Sequence, residues 1–137
     1  MINLYAVLVG DAGVGKSRFV NMLSDAPRAR PYVPTIGSPL HPIAIVDTGA
    51  GVRSLMLVDV GCSPKFAQLR PAIYINVMAT GYMDKIIVAH SGSPQKWYDE
   101  IRTHCPDVET LDLDMRTIKT YDDAKDWLRR NVGSILM

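Results

Sequence analysis

Cysteine is scarce in this chain, where Cys62 and Cys105 are the only two among 137 residues. Two cysteines are too few for a disulfide framework, which favours a reducing compartment. An excess of one charge sign is also missing, because 15 Lys and Arg residues balance 14 Asp and Glu residues to a net charge of +1. So small a charge provides no field that would hold a nucleic acid or an anionic membrane, and we expect neither as a partner.

Long apolar runs are absent as well. No stretch approaches the ~20 apolar residues that cross a bilayer, no signal-like segment follows Met1, and the last residues carry no cysteine for prenylation. The histidines and cysteines lack the spacing of metal ligands, which argues against zinc. We therefore expect an intracellular protein, cytoplasmic or nuclear, without a membrane anchor.

The composition is that of one globular domain, with 47% hydrophobic and 21% charged residues. A chain of this size buries about two-thirds of its surface on folding, which suffices for a core without metal or disulfides. A second domain has no room. The sequence therefore predicts a single domain over residues 1–137, and a glycine-rich motif near its start predicts that this domain binds nucleotide.

Apolar runs alternate with helical patterns along the chain, which is typical of α/β folds with a mostly parallel sheet. About five strands are predicted, at residues 2–9, 42–47, 53–60, 85–90 and 108–113. Helices are predicted at 16–24, late in 64–77, and at 95–104 and 121–132. The second and third strands are joined by a glycine turn and predict an antiparallel hairpin. Four prolines between residues 26 and 39 predict a long loop there.

The segment Gly10–Ser17 matches the phosphate-binding loop pattern between a strand and a helix. In such a loop, backbone N–H groups and the helix N-terminus surround phosphate oxygens, Lys16 bridges the phosphates and is a catalytic candidate, and Ser17 is a magnesium ligand. The alternative is a chance glycine turn with an exposed lysine. The nucleotide-binding candidates here are Asp11, Ala12, Gly13, Val14, Gly15, Lys16, Ser17 and Arg18.

With this loop placed, the chain resembles the Ras superfamily of small GTPases, and within it the Ran group. The further residues that carry the resemblance are Tyr32 to Gly37, Leu40 to Ile43, Asp59, Lys65, Phe66, Leu69 and Arg70. The resemblance covers most of the chain and implies a reduced Ras-like α/β fold that binds GTP or GDP with Mg²⁺. It also implies a switch that protein effectors or regulators contact through residues 32–43 and 59–70.

The resemblance assigns roles to two residues outside the loop. Thr35 would close over the γ-phosphate, ligate Mg²⁺ and thereby contribute to catalysis, and Asp59 would hold the ion through water. The residues alone agree for Asp59, since an acid at the end of an apolar strand suits a cation. An ordinary loop hydroxyl is the alternative interpretation of Thr35.

The chain departs from the family where hydrolysis is concerned. The family's Asp-Thr-Ala-Gly-Gln-Glu stretch is replaced by residues 59–64, which read DVGCSP. Ser63 therefore takes the catalytic place of the glutamine that orients the attacking water, and its side chain is too short for that task. Cys62 replaces a glycine that faces the γ-phosphate. We expect intrinsic hydrolysis to be slow or absent.

The base-reading side departs further, because the family's Asn-Lys-x-Asp motif is absent and Arg28 stands where an aromatic ring packs on guanine. Arg28 is a nucleotide-binding candidate that would stack its guanidinium on the base, the alternative being a solvated arginine. The flanking elements match across a gap of roughly 25 residues, the size of one strand and one helix. A deletion is therefore predicted, after which the last strand can move toward the centre of the sheet. Asp114 or Asp112 is a candidate acceptor for guanine N1 and N2, the alternative being a solvated or capping carboxylate.

Two functions follow from these observations. The first is a divergent GTPase switch with weakened guanine preference. The alternative is a pseudo-GTPase, a binding module that mimics a Ran-like surface to engage or compete for regulators or transport receptors. A small P-loop kinase or ATPase is disfavoured because the chain is too short for the lid and the acceptor-binding insert.

Overall fold

The structure, a computed structural model, describes residues 2–11, 13–23, 32–33, 38–60 and 69–136. The strands are β1 Ile2–Gly10, β2 Tyr32–Val33, β3 Ser38–Asp47, β4 Val52–Asp59, β5 Lys85–His90, β6 Glu109–Asp114 and β7 Ser134–Ile135. The helices are α1 Lys16–Leu23, α2 Arg70–Ala79, α3 Gln95–His104 and α4 Tyr121–Asn131, with a 3-10 turn at Met115–Thr117. The five long strands and four helices lie where the sequence predicts them.

The strands form one sheet in the order β2-β3-β4-β1-β5-β6, and β7 pairs with β3. Strands β4, β1, β5 and β6 run parallel, while β3 and β4 form the predicted antiparallel hairpin. The centre of the sheet is set by continuous apolar runs, since residues 6–9 and 86–89 are entirely buried. Such runs are typical of parallel strands that are covered on both faces.

Strand β6 pairs directly with β5, which is the closure expected if a strand is missing between them. The parallel register runs from Lys85 opposite Glu109 to His90 opposite Asp114. Parallel strands end at the same edge of a sheet, so the turn that follows β6 lies beside the loops that follow β1 and β5. This pairing determines which residues can surround the predicted nucleotide.

Helices cover both faces of the sheet and divide the core in two. One cluster holds residues of α1 and α4, and the other holds residues of α2 and α3. Helix α4 begins at a capping box formed by Thr120 and Asp123 and buries Trp127, whose ring meets Phe19 edge-on at 5.9 Å between centroids. In the described part of the chain, no helix is long and apolar enough to cross a membrane.

The sheet also contains two strands that the sequence did not predict, β2 and β7, each of two residues. Strands this short carry no periodicity that a sequence pattern can reveal. Strand β3 also begins earlier than predicted, at Ser38, and accommodates Pro42 through a register shift between Pro42 and Ala44. Proline is tolerated there because a bulge removes the need for a ladder hydrogen bond.

Replacing Leu113 by alanine should lower the free energy of unfolding by about 2–5 kcal/mol, because its fully buried side chain would leave a cavity in the core beneath α4. Denaturant unfolding monitored by circular dichroism measures the change. The same substitution at Leu136, which is 52% exposed, is the control and should cost less than about 0.5 kcal/mol. Equal effects of the two substitutions would contradict the assigned core.

Candidate functional site

The loop between β1 and α1 takes the backbone path that its glycines permit. Gly10 has φ +154°, and a Cβ on it would lie 2.3 Å from the carbonyl oxygen of Ala89 in β5. Gly15 has φ +104°, a conformation that residues with a side chain rarely adopt. Glycine at these positions allows the loop to pack tightly against β5 and to turn into α1.

Lys16 is the first residue of α1 and is only 8% exposed. Its Nζ is buried and has no hydrogen-bond partner in the part of the chain that the structure describes. A buried ammonium without an acceptor is strongly unfavourable, so this position fits an anion that the protein itself does not provide. Phosphate oxygens at a helix N-terminus satisfy that requirement.

Two oxygen-bearing side chains lie at the same end of the sheet as Lys16. Ser17 is exposed in the first turn of α1. Asp59 is the last residue of β4 and pairs in register with Leu8 of β1, two residues before Gly10. A hydroxyl and a carboxylate are hard oxygen ligands of the kind that Mg²⁺ prefers, so both residues fit the predicted ion. His41 lies close to Asp59, with its Nε2 3.9 Å from Oδ2.

Asp11 is held by the start of α3. Its Oδ1 accepts a hydrogen bond from Trp97 Nε1 at 3.2 Å and lies 2.6 Å from Lys96 Nζ. The hydrogen bond from Lys96 lowers the pKa of the Asp11 carboxyl, with a smaller contribution from Trp97. The loop is therefore anchored to α3 by one aromatic and one cationic side chain.

The same Trp97 also contacts α2. The guanidinium of Arg70 lies over its ring, 4.6 Å from the centroid, and forms two parallel bonds to Glu100 through Nε and Nη2 at 3.0 Å. Tyr74 donates to the same carboxylate at 2.5 Å, and burial together with Glu100 raises the pKa of Tyr74 above its ordinary value. The predicted phosphate loop and the first turn of α2 are thus joined through α3.

The turn after β6 packs against the second half of the loop. The methyl carbon of Met115 would lie 3.3 Å from a Cβ on Gly15, and Arg18 Nη2 donates to the carbonyl of Ile118 at 2.7 Å. Arg18 is one of the predicted nucleotide-binding residues, and its side chain connects α1 to this turn by a hydrogen bond.

Asp114 caps the turn that follows it. Its Oδ1 accepts the backbone N–H of Arg116 at 3.0 Å, and its two oxygens also accept bonds from the Arg116 guanidinium. The bonds from Arg116 lower the pKa of Asp114 to about 2. The capping interpretation left open by the sequence therefore describes this carboxylate, while a contact with a base stays a prediction.

A polar cluster that the sequence did not predict as a unit lies at the ends of β5 and β6. His90 Nδ1 accepts the N–H of Gly92 at 3.0 Å, so Nε2 donates to Asp112 Oδ1 at 2.8 Å. Tyr98 donates to the same oxygen at 2.7 Å, and burial and Asp112 raise its pKa. The adjacent ends of two parallel strands were the signal that could have indicated this cluster. Asp112, the second candidate acceptor for guanine, therefore already accepts two hydrogen bonds within this cluster.

Several predicted site residues lie outside the part of the chain that the structure describes: Ala12, Arg28, Thr35 and Ser63. The predicted partner segments 32–43 and 59–70 are described only in part. Among the described residues, no three His, Cys, Asp or Glu side chains gather into a metal-binding group. The described residues that come together around the loop are Asp11, Gly13, Val14, Gly15, Lys16, Ser17, Arg18 and Asp59.

Comparisons with known proteins show what this chain is similar to. A family model described as "Ras family" matches residues 5–130. Among curated proteins, the GTP-binding nuclear protein GSP1 of Encephalitozoon cuniculi (strain GB-M1) is 32% identical over 68 residues. That alignment covers 50% of this chain and 32% of the relative, so the chain matches about a third of the relative's length.

The Asp114 to Arg116 pair should make stability depend on pH. Asp114 has a pKa of about 2 when folded and about 3.9 when unfolded, so the pair stabilises the protein above about pH 4. The contribution should disappear as the pH falls from about 4 to about 2. Urea unfolding of the wild type and of Asp114→Asn over this range measures it, and the difference between the two proteins should shrink with acid. Arg116→Ala should remove the same pH-dependent part, and a constant difference would contradict the assignment.

Proposed function

Because the chain belongs to the Ras family, we propose that it binds GTP and GDP together with Mg²⁺ at the loop Gly10–Ser17. The observation that carries the proposal is the buried Nζ of Lys16, which has no partner among the described residues. An ammonium at the N-terminus of α1, next to a loop of backbone N–H groups, is suited to a chain of phosphates. The name of the GSP1 relative supports GTP as the nucleotide.

Each residue of the site has a distinct proposed task. Lys16 bridges phosphate oxygens and neutralises part of their charge, while the loop backbone surrounds them. Ser17 and Thr35 would ligate the magnesium ion, and Asp59 would hold it through water. When bound, Mg²⁺ neutralises charge on the oxygens of the β- and γ-phosphates. Asp11 keeps the loop in position through its contacts with Lys96 and Trp97.

A nucleotide-dependent switch is the proposed consequence. Thr35 and the segment around Asp59 would take one arrangement with GTP and another with GDP, and protein effectors or regulators would bind residues 32–43 and 59–70. The Trp97 contact with Arg70 supports this proposal, since it joins the phosphate loop to the start of α2. The nuclear relative makes the nucleus and the cytoplasm the proposed locations.

Replacing Lys16 by alanine should weaken binding of GTP and GDP by about 100-fold or more, because two or more charge-assisted hydrogen bonds to phosphate are lost. Isothermal titration with Mg²⁺ present measures this effect. The matched control is Lys125→Ala on the exposed face of α4, which should leave the affinity unchanged. Unchanged affinity of the Lys16 variant would mean that the loop does not bind the nucleotide.

Hydrolysis should be slow, because Ser63 is too short to orient the attacking water. Single-turnover measurement of phosphate release from bound GTP should give a rate that rises when Ser63 is replaced by glutamine. Cys62→Gly, combined with it, tests whether the side chain at 62 obstructs the γ-phosphate. A wild-type rate equal to that of GTP in buffer would favour the pseudo-GTPase binding module, and a fast wild-type rate would contradict the role assigned to position 63.

A further inference from the structure

We propose that Arg116, held in place by Asp114, selects guanine in this chain by donating to the O6 and N7 atoms of the base. The proposal rests on nucleotide binding at Gly10–Ser17 and adds the residue that distinguishes guanine from adenine. The motif that performs this task in the family is absent from the sequence. The structure places a different side chain at the same edge of the sheet.

Arg116 belongs to a turn that packs against the proposed phosphate loop and against the first turn of α1. Met115, before it, approaches Gly15, and the carbonyl of Ile118, two residues after it, accepts a bond from Arg18. Strand β6 holds this turn in place by pairing with β5 up to His90 and Asp114. A nucleotide with its phosphates on the loop could therefore extend its base toward Arg116.

The guanidinium of Arg116 is fixed on one edge and open on the other. Its Nε donates to Asp114 Oδ1 at 3.0 Å and its Nη2 donates to Oδ2 at 2.7 Å, so these two bonds use the Nε and Nη2 edge. Nη1 has no hydrogen-bond acceptor among the described residues, and the side chain is 64% exposed. The edge formed by Nη1 and Nη2 is therefore available, and Asp114 reduces the rotamer freedom that binding would otherwise have to restrict.

The loop after β5 leaves room for this side chain. A Cβ on Gly92 would lie 3.1 Å from Nη1 of Arg116, and the backbone there has φ +119°. Gly92 is in turn held by its N–H donation to His90. Glycine at position 92 therefore lets the guanidinium lie close to the loop after β5, where a Cβ would require it to shift.

The chemistry of the open edge favours guanine. It presents two parallel N–H donors, and guanine offers two acceptors, O6 and N7, in the matching geometry. Adenine offers N7 but places the N6 amino group, a donor, where O6 would be. Asp114 already accepts the bonds of Arg116, so guanine would be recognised by donors of the protein rather than by a carboxylate.

The dissociation constants of four nucleotides, measured with Mg²⁺ present, distinguish recognition of guanine by Arg116 from recognition by a carboxylate. Inosine triphosphate keeps O6 and N7 but lacks the 2-amino group, whereas 7-deaza-GTP lacks N7. Recognition by Arg116 predicts that GTP and inosine triphosphate bind equally and that 7-deaza-GTP and ATP bind about 10-fold more weakly. In Arg116→Ala, the affinity for GTP should fall to the affinity for ATP. The affinity for ATP should stay unchanged, which shows that the variant is folded.

The control variant is Arg129→Ala, which removes an exposed arginine paired with Asp126 on α4 and should change none of the four affinities. Arg116→Lys should also lose the preference, since an ammonium lacks the two parallel donors. Weak inosine triphosphate binding with full 7-deaza-GTP binding would overturn the proposal in favour of a carboxylate. Equal GTP and ATP affinities in the wild type would overturn it while leaving phosphate binding intact. Failure of every nucleotide to bind would instead overturn the proposed function.

Discussion

The parallel pairing of β5 with β6 is the constraint on which the rest of the site depends. Its register brings Asp114 opposite His90 and directs the following turn onto the phosphate loop, where Met115 lies against Gly15. If another strand stood between β5 and β6, the turn would lie about 4.8 Å farther from the loop. The sequence predicts a deletion of one strand and one helix at this point, and such a deletion would bring β6 beside β5. The residues that end β6 lie near the proposed nucleotide site because, in the described part of the chain, no strand stands between β5 and β6.

The loop between β1 and α1, the proposed phosphate site, leads into a residue whose burial is unfavourable without a counter-charge. The Nζ of Lys16 is buried without a protein partner among the described residues, and the glycines around it leave the backbone close to β5. An anion would balance this charge, so we expect phosphate binding at the proposed site to stabilise the loop. Helix α3 supports the loop from the other side, since Trp97 contacts both Asp11 and Arg70. One aromatic side chain therefore connects the ligand loop to the helix that begins at residue 70.

The sequence predicted much of the fold, and the structure and the match to the Ras family confirm it. The long strands and helices were predictable because apolar runs and helical spacing report burial, and the loop was predictable because its motif encodes a backbone path. Side-chain pairing across strands was not predictable. Asp112 accepts hydrogen bonds from His90 and Tyr98 because the strand register brings them together. Asp114 accepts bonds from Arg116 because it caps the turn that follows β6. Residue type alone did not distinguish a carboxylate that binds a ligand from one that holds a neighbouring side chain.

The chain is a Ras-family domain whose phosphate-loop motif is present and whose Asn-Lys-x-Asp motif is absent from the sequence. Its balanced charge is consistent with a compact ligand held by a few residues rather than with a charged polymer. Native mass spectrometry of the purified chain, with excess GTP and Mg²⁺ added, tests the central claim most directly. The account predicts a complex whose added mass is that of one guanine nucleotide, and this complex should be lost in Lys16→Ala. A chain that stays free of nucleotide under these conditions, or a complex that persists without Lys16, would contradict it.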